Sequence, residues 1–99
     1  MSDTAKIVLS KPTEYQIRNT VLMVYPVSLE KIILISEKME QLEKAKKVAE
    51  QAELMLQIVY ELVKEDNKGV SLEELRKILT LEAGMKIIST AMGSDTVKA

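Results

Sequence analysis

The amino-acid sequence predicts a mainly α domain: a short N-terminal β-hairpin followed by a bundle of about four helices. Three observations carry the prediction. Alternating and β-branched residues are confined to the first quarter of the chain. From Ser28 to Lys68 there is no glycine or proline, and apolar residues recur at helical spacing. Segments of the form (S/T)-L-E at Ser28–Glu30, Ser71–Glu73 and Thr80–Glu82 carry the chemistry of a helix start. The 99 residues leave room for one core, so the chain is expected to be a single domain over 1–99.

The β-ribbon is predicted over 6–25. KIVL (Lys6–Leu9) is short and β-branched, and SKPTE (Ser10–Glu14) has turn chemistry around Pro12. Tyr15, Ile17, Asn19 and Val21 then alternate with Gln16, Arg18 and Thr20, and VLMVY (Val21–Tyr25) continues the strand pattern. Two strands alone are marginal, so the ribbon must lie on helices or pair with another chain.

Pro26 ends the ribbon, and a helical region over 28–92 follows. Ser28 suits an N-cap, Glu30 favours the positive end of the helix dipole, and Val27 and Ile32 have the spacing of a hydrophobic staple. VSLEEL (Val70–Leu75) is fuller, with Ser71 and Glu74 spaced as a capping box and Val70 placed to staple to Leu75. In TLEA (Thr80–Ala83) the cap is Thr80. The residues after each copy differ, so the repeat is a start signal used three times, not a duplicated unit.

Between Ser28 and Glu65 a single helix would be about 55 Å long, against a radius of gyration of about 13 Å for a domain of this size. The apolar series slips phase near Ala45, so a break within Glu43–Lys47 is expected to fold the segment into a helical hairpin. Glu40–Lys44 and Glu43–Lys47 have the spacing of i,i+4 ion pairs. DNKG (Asp66–Gly69) closes the segment, short helices are predicted over Leu72–Leu79 and Leu81–Met92, and Gly93–Ala99 is expected to be a frayed tail.

Composition removes several functions. With 14 basic and 15 acidic residues there is no positive excess to bind nucleic acid. Tyr15, Tyr25 and Tyr60 are the only aromatic residues, too few for a base-stacking platform. The absence of cysteine excludes disulfides and thiolate chemistry, and the absence of histidine removes the commonest general base and metal ligand. KEDNKGVSLEEL (Lys64–Leu75) misses the spacing of a calcium loop: with Glu74 as the last ligand, the first would be Val63. The lone glycines form no phosphate-binding loop. Lys44, Lys46 and Lys47 are interleaved with glutamates and make a solvated face. No catalytic, cofactor or metal residue is therefore assigned, and the protein is expected not to be an enzyme.

The N-terminus lacks the order of a signal peptide, and Val21–Ile35 is interrupted by Pro26, Glu30 and Lys31. A soluble, cytoplasmic protein with no membrane or nucleic-acid partner is expected. Its apolar residues exceed what one core needs. The last helix carries Leu81, Met85, Ile88 and Met92 on one stripe and Ala83, Ile87 and Ala91 on another. Ile32–Ile35 points apolar side chains all round the first helix. Such residues either fill the core or form an adaptable partner surface. The residues assigned to that surface are Ile32, Ile35, Met55, Leu81, Met85, Ile88 and Met92.

A short ribbon leading through YQIRNTVLMVYPVSLEKIILISEKMEQL into a helical remainder, which ends in VSLEELRKILTLEAGMKIISTAMG and a polar tail, resembles the small tail assembly chaperones of long-tailed bacteriophages. The resemblance is one of layout, covers most of the chain and carries over no functional residue. It implies a non-enzymatic protein, acting as an oligomer in the host cytoplasm, that binds an apolar helical tape-measure protein during tail assembly. The alternative is a structural or regulatory homodimerisation module that uses Ser28–Glu65 as a long helical hairpin or coiled-coil seam.

Overall fold

The computed structural model describes residues 11–93. It contains β1 (Thr13–Ile17), β2 (Thr20–Val24), α1 (Leu29–Lys44), α2 (Val48–Val63), α3 (Leu72–Ile78) and α4 (Leu81–Ala91). The chain is mainly α, with an antiparallel hairpin ahead of four helices. KIVL and the tail after Gly93 lie outside the described residues.

All three (S/T)-L-E segments begin helices. Ser28 Oγ accepts the Lys31 N–H at 3.2 Å, Ser71 Oγ the Glu74 N–H at 3.1 Å, and Thr80 Oγ1 the Ala83 N–H at 3.0 Å. The capping box at Ser71 is completed in one direction only. The Glu74 carboxylate, expected to reach back to the cap, instead accepts from Thr20 Oγ1 at 3.1 Å. That side chain has been recruited to hold the hairpin.

The described hairpin turns at Arg18–Asn19, and Thr13 and Glu14 of SKPTE belong to β1. Ile17 pairs with Thr20, leaving a two-residue loop in which Arg18 takes φ 56°. No glycine marks this left-handed position, which removes the usual sequence signal. The turn also shifts the inward parity. Tyr15 and Ile17 share a face with Leu22 and Val24, so Val21 lies on the outer face.

α2 is apolar on most sides and forms the centre of the core. Its Met55, Leu56, Ile58, Val59, Leu62 and Val63 are buried, and the helix touches α1, α3, α4 and β2. α1 contributes Ile35 as its one buried residue, with Met39 and Leu42 packed beside it. The long helical segment is broken at Ala45–Lys47, inside the expected window. Ala45 N–H donates to Leu42 O at 3.3 Å, and Gln51 Nε2 donates to Ala45 O at 2.9 Å, so side-chain bonding supplies the turn in place of glycine. Lys47 falls outside the helix, and neither expected i,i+4 pair is an ion pair among the described residues. Lys31 instead ties α1 to α2, 3.5 Å from Glu65 and 4.0 Å from Glu61.

The ribbon lies on its own helices. The Tyr15 hydroxyl bonds Thr90 Oγ1 on α4 and donates to Lys86 O at 3.3 Å. Asn67, in the loop after α2, receives the Met23 N–H on its Oδ1 at 2.8 Å. Its Nδ2 donates to Met23 O at 2.9 Å and to Val63 O at 2.7 Å. The side-chain amide thus occupies the place of a neighbouring strand on the outer edge of β2.

α4 approaches α2 through Gly84. A Cβ at that position would meet Met55 Sδ at 2.4 Å and Cγ at 2.8 Å. Alanine would add about 1 kcal/mol of helix propensity, but overpacking a buried side chain costs about 1–3 kcal/mol. Gly84→Ala is expected to destabilise the protein by about 1 kcal/mol in urea unfolding. The penalty should vanish in a Met55→Ala background, where the obstructing side chain is gone. A raised unfolding midpoint for Gly84→Ala alone would show the contact to be slack.

Candidate functional surface

The core is satisfied by one face of α4 and one narrow stripe of α1. On α4, Gly84, Ile87, Thr90 and Ala91 are buried, and Ala83 packs beside them. The other stripe turns outward to differing degrees. Leu81 is 44% and Met85 61% exposed, while Ile88 and Met92 are half-buried, Ile88 against the core.

On α1, the Ile32–Ile35 run is resolved into distinct roles. Ile35 is buried and Ile32 half-buried, whereas Ile33 is 72% and Leu34 63% exposed. Leu29, one turn before Ile33, is 77% exposed. Exposed Leu29, Ile33 and Leu34 were not assigned to the surface from the sequence. Burial selects one narrow stripe of the run, and only the placement of α1 on α2 shows which.

Of the seven sequence-assigned residues, Ile35 and Met55 are therefore core residues of the chain itself, 1% and 5% exposed. Each lies on the side of its helix where α1 and α2, or α2 and α4, close on each other. Ile32 and Met92 come together at an open hollow of about 380 Å³ between α1 and the end of α4, which Met39 also lines. Val27 N–H donates to Ala91 O at 2.9 Å and pins the start of α1 to that end of α4. Leu81 belongs to a second hollow, of about 310 Å³, which buried Met55 also lines, with Ala49, Ala52, Leu56 and Leu79. Met85 and Ile88 line neither hollow.

An ion pair between α2 and α3 stands on the rim of the second hollow. Arg76 donates from Nη1 to Glu53 Oε1 at 2.7 Å and from Nη2 to Oε2 at 3.3 Å, and Gln57 Nε2 donates to Oε2 at 3.2 Å. The hydrogen bonds from Arg76, then Gln57, hold the Glu53 carboxyl below the usual carboxylate range; Glu53 in turn raises the Arg76 guanidinium. The unfolded chain therefore takes up this proton more readily than the folded one. The pair's stabilisation is present above the unfolded-state pKa and is lost as pH falls through the lower folded value. Arg76→Met is expected to return Glu53 to the ordinary carboxylate range in an NMR pH titration. An unchanged Glu53 midpoint would show that the guanidinium is not the cause.

Among the described residues no group of three or more metal-ligating side chains comes together, and no helix is long and apolar enough to cross a membrane. No protein-family model, curated protein or solved structure matches this chain.

Proposed function

We propose that the protein is a non-enzymatic assembly protein that holds an apolar helical segment of a partner protein, the role of the tail assembly chaperones whose layout it resembles. One observation carries the reading. Among the described residues the core forms without Leu29, Ile33, Leu34 and Met85, and each of these is more than 60% exposed. Exposed apolar residues on two helices suit recognition of an apolar helical partner. Methionine at such a surface adapts its shape at little conformational cost.

Ile33→Ser combined with Met85→Ser tests the surface without changing charge. Both side chains lie outside the core, so circular dichroism and unfolding midpoint should stay close to wild type. Native purification from the source lysate, read by mass spectrometry, is expected to yield a helix-rich apolar partner at stoichiometric level with wild type and at least tenfold less with the double variant. A partner retained equally by the variant sinks the reading. Self-association alone, abolished by the same variant, would favour the homodimerisation module, for which the exposed Leu29, Ile33 and Leu34 are the supporting residues.

A further inference from the structure

We propose that the exposed face of α1, with the hollow beside the end of α4, selects a helix that is apolar at one end of its contact stripe and basic at the other. This rests on the helix-binding reading above and names the partner's chemistry. Leu29, Ile33, Ser36, Glu40 and Glu43 follow one another on α1 at intervals of four, three, four and three residues, the spacing of one face of a helix–helix seam. The first half of this seam, Leu29 and Ile33, is apolar and exposed, and Ile33 lines a separate hollow with Leu34, Lys31 and Glu65. The second half is acidic. Ser36, Glu40 and Glu43 line the same hollow as Ile32, Met39 and Met92, and among the described residues no basic side chain lines it.

Neither carboxylate is an ion pair among the described residues, even with Lys44 next in the chain. The hollow therefore offers an apolar floor with a one-sided negative rim. From Ile32 to Glu40 and Glu43 is about 12–16 Å along α1, two to three helical turns. A partner helix laid along this face of α1 places apolar side chains beside Leu29 and Ile33, and beside Ile32 in the hollow. Lys or Arg follows beside Glu40 and Glu43. Such rim charges set specificity and association rate more than total affinity.

The test uses the full chain and two labelled amphipathic peptides of about three heptads. Both carry leucine through half of the contact stripe; the other half carries lysine in one peptide and glutamate in the other. The lysine peptide is expected to bind about tenfold more tightly at low salt, and Glu40→Lys with Glu43→Lys should reverse the preference. Both glutamates are exposed, so the variant should keep wild-type helicity and unfolding midpoint. If both peptides bind alike, the charge change has no effect and Ile33→Ser still weakens binding, the charge inference is overturned and the helix-binding reading stands. If neither peptide binds, both are overturned.

Discussion

Replacing Leu75 by alanine is expected to destabilise the protein by about 3 kcal/mol, within the range for a fully buried leucine. Leu75 is 0% exposed and is the only buried residue of α3. A seven-residue helix has no stability of its own in water, so α3 persists because it docks on α2. Removing the docking side chain leaves a cavity between α3 and α2, together with half-buried Leu72, Ile78 and Leu79, which hold less firmly. Urea unfolding should show the full loss. Native-state hydrogen exchange should show the amides of α3 opening far more readily than those of α2. Uniform loss of protection across both helices would mean that α3 is not a separable unit. Global stability for a domain of this size is about 5–15 kcal/mol, so this single change removes a large share of it.

Asn67→Asp is expected to cost as much through polar chemistry, about 3 kcal/mol at neutral pH. Asn67 is only 9% exposed. Its amide nitrogen serves the carbonyls of Met23 and Val63, and its oxygen receives the Met23 amide. An aspartate keeps the acceptor but loses the donor. It would face two carbonyl oxygens with negative charge in a buried site, beside Asp66. Burial and these dipoles would raise its folded pKa above the unfolded value of about 3.9. The folded variant would then hold the proton more tightly than the unfolded chain. Its stability is greatest below the unfolded pKa and falls as pH rises through the folded one. This is opposite in sign to the Glu53–Arg76 pair. Urea midpoints across the acid range, relative to wild type, should converge with falling pH. A deficit that does not change with pH would show that the aspartate stays ionised and finds another donor.

The helical architecture was legible in the sequence because its signals are local. A serine or threonine three residues ahead of an unpaired amide caps a helix wherever it occurs, and all three such segments do so. The break between α1 and α2 was legible as a phase slip near Ala45, though no glycine or proline marks it. The hairpin turn was harder. Arg18 adopts a left-handed conformation without the glycine that normally signals one, so the alternation from Tyr15 to Val21 seemed to run unbroken across the turn.

The candidate surface was half legible. Its helices and the outward stripe of α4 followed from periodicity, and Ile32, Leu81, Met85 and Met92 do line a hollow or face solvent. Ile35 and Met55 look the same in sequence as the surface residues but are buried, Met55 in the wall of the second hollow, because burial depends on which element closes over each side chain. Asn67 gave only a turn signal, since its partners at Met23 lie 44 residues away. The sequence by itself determined the helix starts, the helical hairpin, the class of the fold and the chemistries it lacks, all set by neighbouring residues or by composition. Only the tertiary structure decided which apolar stripe is covered, where Glu74 and Asn67 place their hydrogen bonds, and that Ile32 and Met92 meet at one hollow. Those depend on contacts between residues far apart in the chain, which no local pattern encodes.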